Sequence, residues 1–255
     1  MTTVEAPSAG RPGISAFTVA FIDNPGSLGD LLESFRLVEA EHRRSGRCFL
    51  TLDDLSQCLY TSGHARDRYE LADVDYPEEE TPEARAGFEQ QRFAAAQKSL
   101  RSPVTASAWD SMVDRRTTSA DDIDALATLN EHPDVILDDV HVVSCLPTDL
   151  DADLLAAIPN GYFSGDWTPY DCFALTERLA SVYGYSLIGM GSRTMAFSRV
   201  VEEGRVTEPL LADLQQIYGH ADQTDAWDRL RSTLTHAPLL LLGYTEDFAE
   251  LVEDL

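Results

Sequence analysis

The run VILDDVHVVSCL, residues 135–146, holds the most pointed pair of reactive side chains in the chain, Asp139 and His141. On a strand, residues two apart share a face, so a carboxylate and an imidazole would stand together. That pairing suits acid–base work or part of a metal site. The plainer reading is structural: a half-buried His141 held by an aspartate, or a hairpin tip at Asp138-Asp139. Two ligands cannot hold a zinc or magnesium ion alone, and no H-E-x-x-H or D-x-D-x-D-G run supplies the others.

A second concentration is NGYFSGDWTPYDC, residues 160–172. Capping chemistry accounts for most of it. Thr168 is an N-cap, Pro169 fits the first helical position without its N–H, and Asp171 falls at N3. Asn160-Gly161 turns the chain, and Tyr162, Phe163 and Trp167 anchor the approach. Asp166 and Cys172 keep no assigned role, so the catalytic candidates are Asp139, His141, Asp166 and Cys172, with Asp139 and His141 as the metal candidates.

The remaining chemistry is sparse. Cys48, Cys58, Cys145 and Cys172 are widely spaced, and buried free thiols are expected. Cys145 or Cys172 would need a histidine nearby to act as a nucleophile. Gly189-Met190-Gly191 has Thr194 where a dinucleotide fingerprint needs a third glycine. Gly191-Ser192-Arg193 lacks the second glycine of a nucleophile elbow. Lys98, the one lysine, follows no phosphate loop. No cofactor is implied.

The elements that must position these residues follow from periodicity and punctuation. Residues 17–22 read as a strand ending at Asp23-Asn24-Pro25-Gly26. Ser27 caps a helix to about Ser45-Gly46, and Thr51, with Asp54 three residues on, opens a short one. Residues 70–83 are a loop, followed by a helix from Pro82 to Leu100 that Ser102-Pro103 ends. Helical segments at 105–115 and 119–130 precede the strand at 135–146, and Thr148 opens a short helix to Ala157. A helix over 169–183 ends at Gly184. Strands at 185–190 and 194–200 are joined by a type II′ turn at Gly191-Ser192. Helices near 208–218 and 223–236 lead to the strand 238–243 and a helical tail with Phe248, Leu251, Val252 and Leu255 on one face.

This mixture predicts an α+β fold, with a mixed-sheet α/β arrangement as the variant, and helices packed around one or two small mixed sheets. The expected organisation is a flexible leader over 1–14, one α+β domain over 15–146 and a second over 147–255.

Charge is the strongest global signal. Forty-four acids against nineteen bases give a net charge of -25 over 255 residues. Such a surface repels nucleic-acid phosphates and attracts a basic protein. A salt-adapted habitat or a GC-rich genome explains the same balance without a partner. No apolar run reaches the ~20 residues of a membrane span, and no secretory signal is visible, so a cytoplasmic protein without a membrane partner is expected.

From Gly165 to Asp247 the order of features is similar to a bacterial domain of unknown function. The matching residues are Trp167, Asp171, Tyr183-Gly184, Leu187-Ile188-Gly189, the helix through Tyr218, and Leu239–Tyr244 before Glu246-Asp247. The family ends in a tryptophan-rich strand, where this chain has leucines and Tyr244. The resemblance carries over no catalytic residue. Some members look like parts of toxin–immunity cassettes, which implies an acidic binder of a basic toxin.

The leading expectation is therefore a non-catalytic acidic interaction protein, an immunity or inhibitor protein for a basic partner such as a nuclease toxin. Its partner-binding candidates are Asp166, Trp167, Glu246, Asp247, Phe248 and Glu250. The alternatives are a metal-assisted or thiol hydrolase built on Asp139, His141 and the 166–172 loop, and a DNA mimic.

Overall fold

The computed structural model describes residues 1–79, 81–103, 107, 109–113, 119–199, 207–253 and 255. Part of the expected 105–115 helix lies outside the described residues. The fold is α+β. Among the described residues one seven-stranded mixed sheet forms the centre, with strands β1 (Thr3–Glu5), β2 (Thr18–Asp23), β3 (Arg47–Thr51), β4 (Val140–Leu146), β5 (Ser186–Met190), β6 (Thr194–Ser198) and β7 (Leu239–Gly243). Their spatial order is β1-β2-β4-β3-β5-β6-β7, and every pairing is antiparallel except β3 with β5.

That parallel contact joins Leu50 to Gly189 and Thr51 to Met190. Strands from both sides of the expected 146/147 boundary thus lie edge to edge in one sheet, over one continuous apolar core. The expected flexible leader is instead tied down. β1 pairs with β2, and Arg11 grips Asp23 bidentately with both bonds at 2.6 Å while lying over the Phe21 ring.

The helices are α1 (Leu28–His42), α2 (Leu55–Arg68), α3 (Pro82–Leu100), the single turn α4 (Trp109–Met112), α5 (Ala120–Glu131), α6 (Pro169–Tyr183), α7 (Thr207–Tyr218) and α8 (Thr224–His236). Neighbouring residues on β4 show how they layer, since successive side chains point to opposite faces. Cys145 reaches the His42 carbonyl of α1, whereas Ser144 faces the side occupied by α2 and α3. α5 runs along the outer edge of β7. There Asn130 both donates to the Leu241 carbonyl and accepts from its N–H, each at 2.9 Å. An otherwise open strand edge is thereby covered.

Three local expectations are corrected. Residues 47–51, where no element is expected between two helices, form β3. Thr51 ends that strand, its hydroxyl accepting from Val142 N at 2.8 Å, so it cannot cap. Asp54 caps α2 instead, accepting from Gln57 N at 2.9 Å with a left-handed φ of 40°. The β5–β6 tip is not type II′, because Gly191 does not take a positive φ and its N–H donates to Thr194 O, leaving Ser192 and Arg193 as the loop. The tail forms a 3₁₀ segment, Phe248–Val252, rather than an amphipathic α-helix.

Candidate functional site

The strand order gathers one set of loops at the ends of β3, β5 and β7. β3 runs out into Leu52-Asp53-Asp54, β5 into the Gly191–Arg193 tip, and β7 into Tyr244-Thr245. The 160–168 segment crosses the same end. Its Trp167 N–H donates to Tyr244 O at 2.8 Å. Thr168 and Asp171 form the predicted capping box of α6, with Asp171 N donating to the Thr168 hydroxyl at 3.2 Å and Thr168 N to Asp171 at 3.0 Å. Gly161 sits at φ +104°, and an added Cβ would strike the Trp167 carbonyl, so glycine is required at that turn.

Asp53 organises the interior of this end. It is buried, and its carboxylate accepts from Ser192 Oγ at 2.6 Å, from Arg193 N at 3.0 Å and from Thr194 Oγ1. Burial raises its pKa above the ordinary carboxylate value, against the pull of those donors. Asn160 bridges the next layer, donating to Gly191 O at 3.0 Å and to Cys58 Sγ at 3.2 Å while accepting from Thr61 at 2.8 Å. The Tyr244 hydroxyl closes the network on the carbonyls of Gly191 and Ser192, at 2.8 and 2.7 Å. These groups are engaged with one another, so they brace the loops rather than face a substrate.

Above them lies a cavity of about 120 Å³ lined by Asp54, Asp166, Arg193, Asp247 and Phe163, among others. Asp166 accepts from Phe163 N at 2.9 Å and from Glu246 N at 3.3 Å. Burial again raises its pKa, with Asp247 and Glu246 adding to the rise. Arg193 is a cation of this rim, donating to Asp247 at 3.2 Å and Glu250 at 3.0 Å, and Arg68 lies 5.9 Å from the Tyr162 ring centre while donating to the Tyr162 carbonyl at 2.6 Å. Glu246 and Glu250 are exposed. Beside the rim runs a row of rings in edge-on and tilted contact. Tyr60 meets His64 at 4.4 Å, His64 meets Tyr162 at 5.0 Å, and Tyr162 meets Phe163 at 5.1 Å. Tyr60 is 60% exposed and Phe163 46%.

No family model, curated protein or solved structure matches the chain.

The sequence candidates therefore fall into two groups. Asp166, Glu246, Asp247 and Glu250 come together at this rim. Trp167 and Phe248, expected to meet a partner, are core residues: both are buried, packing on either side of Tyr218 at 5.2 and 6.4 Å between ring centres. Cys172 is fully buried in α6. Asp139 and His141 do not form the expected pair. Asp139 is exposed in the loop before β4, while His141 is fully buried. One ring nitrogen of His141, Nδ1, lies 2.8 Å from Thr51 O, and Nε2 accepts from Asp138 N at 3.1 Å. The imidazole is thus neutral with its proton on Nδ1, consistent with burial lowering its pKa. Asp138 supports the turn by accepting from Leu55 N at 2.9 Å. Among the described residues no group of three or more His, Cys, Asp or Glu is placed to hold a metal ion.

The residues missed by sequence reading are Asp53, Asn160 and the Tyr60–His64–Tyr162 row. A faint signal existed for the first. Two consecutive aspartates at a strand–helix junction cannot both cap, and Asp54 takes that role, which frees Asp53 to turn inward.

Proposed function

We propose that the protein is an acidic interaction module that docks a basic protein partner at the β3/β5/β7 end, in the manner of an immunity or inhibitor protein. One observation supports this best: carboxylates Asp54, Asp166, Glu246, Asp247 and Glu250 border an aromatic row whose ends, Tyr60 and Phe163, are exposed, with Arg193 already engaged by two of the acids. Exposed rings beside acids suit arginine, which pairs with the carboxylate and lies over the ring face. Aromatic anchors with a charged border are also where protein interfaces concentrate binding energy. The net charge of -25 adds long-range steering of a basic partner. Because the buried imidazole and thiol face no open cleft, the hydrolase alternative has less support. A cytoplasmic setting belongs to the same reading and agrees with four free cysteines. Among the described residues no helix is long and apolar enough to cross a membrane.

The test uses an arginine-rich basic polypeptide, polyarginine, as the probe, titrated by calorimetry with the wild type, with E246K/D247K/E250K and with Y60A/F163A. Affinity should fall at least tenfold in each variant, and should weaken steeply from about 0.05 to about 0.5 M salt. Equal affinity across the three proteins would remove this surface as the docking site.

A further inference from the structure

A second cavity, of about 100 Å³, lies on the opposite side of α2 from the acidic rim's chemistry and carries the opposite charge. Its walls come from α2, α3, the segment entering β2, and Ala156–Ile158. On α2, Leu59, Ser62 and Arg66 recur at helical spacing and share the face that lines it. On α3, Glu89, Arg92 and Phe93 do the same. Such a volume is well above the ~10–15 Å³ that a single water needs.

Its polar groups are arranged unusually for so acidic a chain. Among the described residues, neither Arg66 nor Arg92 has a carboxylate within ion-pair distance. Arg66 donates from Nη2 to the Ala157 carbonyl, but its Nε is buried without a protein partner. The hydroxyl of Ser62, a residue 2% exposed, is likewise buried and unpartnered one turn away. Burial together with the neighbouring charge of Arg92 pushes Arg66 down to about 10. Glu89, the acid of this cavity, is already satisfied. Arg85 donates to one oxygen at 3.3 Å and Ala16 N to the other. Buried donors of native proteins find acceptors, and the unpartnered Arg66 Nε and Ser62 hydroxyl, in a cavity also lined by Arg92, whose guanidinium lies 5.2 Å from the Phe88 ring centre, ask for an anionic one. Leu59, Phe93 and Ile158 supply an apolar wall beside them.

We propose that this cavity is a binding site for a small oxyanion, a carboxylate or phosphate held by Arg66, Arg92 and Ser62. It is separate from the acidic docking surface and does not depend on it.

The test titrates the full chain with inorganic phosphate, acetate and benzoate, each against chloride at matched ionic strength, by calorimetry and thermal unfolding. At least one probe should bind saturably and raise the melting temperature. Affinity should fall about tenfold or more in R92Q and in S62A, as expected for losing a charge-assisted or buried hydrogen bond. R92Q is used rather than an Arg66 variant because Arg66 holds the Ala157 carbonyl, whereas no hydrogen bond joins Arg92 to a backbone group among the described residues. Binding of phosphate alone would assign a phosphate ester as ligand, and binding of acetate or benzoate an organic acid. No saturable binding of any probe, or unchanged affinity in R92Q, would mean that the cavity holds water only and would overturn the proposal.

Discussion

Replacing Asp53 separates a bracing role from a catalytic one. In D53A the β5–β6 tip loses the acceptor for Ser192 Oγ, Arg193 N and Thr194 Oγ1. The two hydroxyls can rotate towards other acceptors, but the backbone N–H of Arg193 cannot. A hydrogen bond to a charged acceptor contributes about 1.5–3 kcal/mol, and relief of carboxylate burial offsets part of the loss, so D53A should cost about 2–4 kcal/mol. D53N keeps the shape and one acceptor, and should cost less. The pH dependence has a definite sign. Burial raises the folded-state pKa of Asp53 above the unfolded value near 3.8. The native state therefore binds the extra proton, and the part of the Asp53 contribution linked to that proton is full below that value and lost as pH rises through the raised one. The stability gap between wild type and D53N, from urea midpoints, should be widest near about pH 4 and shrink towards neutrality. A D53A midpoint equal to wild type would refute the bracing role. A gap that stays constant with pH would refute the burial argument.

Other perturbations read the same structure elsewhere. Thr168→Ala removes the acceptor for Asp171 N and should lower stability by about 0.5–2 kcal/mol in chemical denaturation; an unchanged midpoint would mean that the cap is idle. Arg101→Met strands Asp153, which is fully buried and also accepts from Thr148 at 2.6 Å and Gln97 at 3.1 Å. With Arg101 half-exposed, the cost should be about 2–4 kcal/mol, and R101M/D153L should recover most of it. The native thiols should react with a soluble disulfide reagent far more slowly than the unfolded ones, since all four are buried and Cys48 is pushed up to about 12 by burial and by Cys145. Rapid native labelling of Cys172 would revive the thiol alternative.

Local rules carried the reading where the cause is local. The Thr168–Asp171 capping box, the Gly184 end of α6 at φ +69° and the Pro82–Leu100 helix are each set by neighbours within one turn, and each was readable from residue type and spacing. β3 was missed for the converse reason. RCFLT is buried along almost its whole length between β4 and β5, so it shows no alternation, and only three residues separate its end from a helix. Pairing Asp139 with His141 requires an unbroken strand. The chain breaks at Asp138-Asp139, β4 starts at Val140, and the period-two argument stops applying one residue before the histidine it was meant to serve.

The rim shows the same division at the scale of the whole site. Asp54, Asp166 and Asp247 line one cavity although more than a hundred residues separate the first from the second. What joins them is the parallel β3–β5 contact, which brings two strand ends to one edge of the sheet, and the Trp167–Tyr244 hydrogen bond, which lays the 160–168 segment across β7. Neither contact has a signature within any short window, because each depends on which strand becomes whose neighbour. Charge composition could foretell an acidic surface, but only this topology puts the acids beside Tyr60, His64, Tyr162 and Phe163. A scattered negative surface would merely repel its own kind and keep the chain apart. Gathered beside exposed rings, the same charges gain a direction and a partner chemistry, which is why the E246K/D247K/E250K and Y60A/F163A variants must fail together if the surface acts as one.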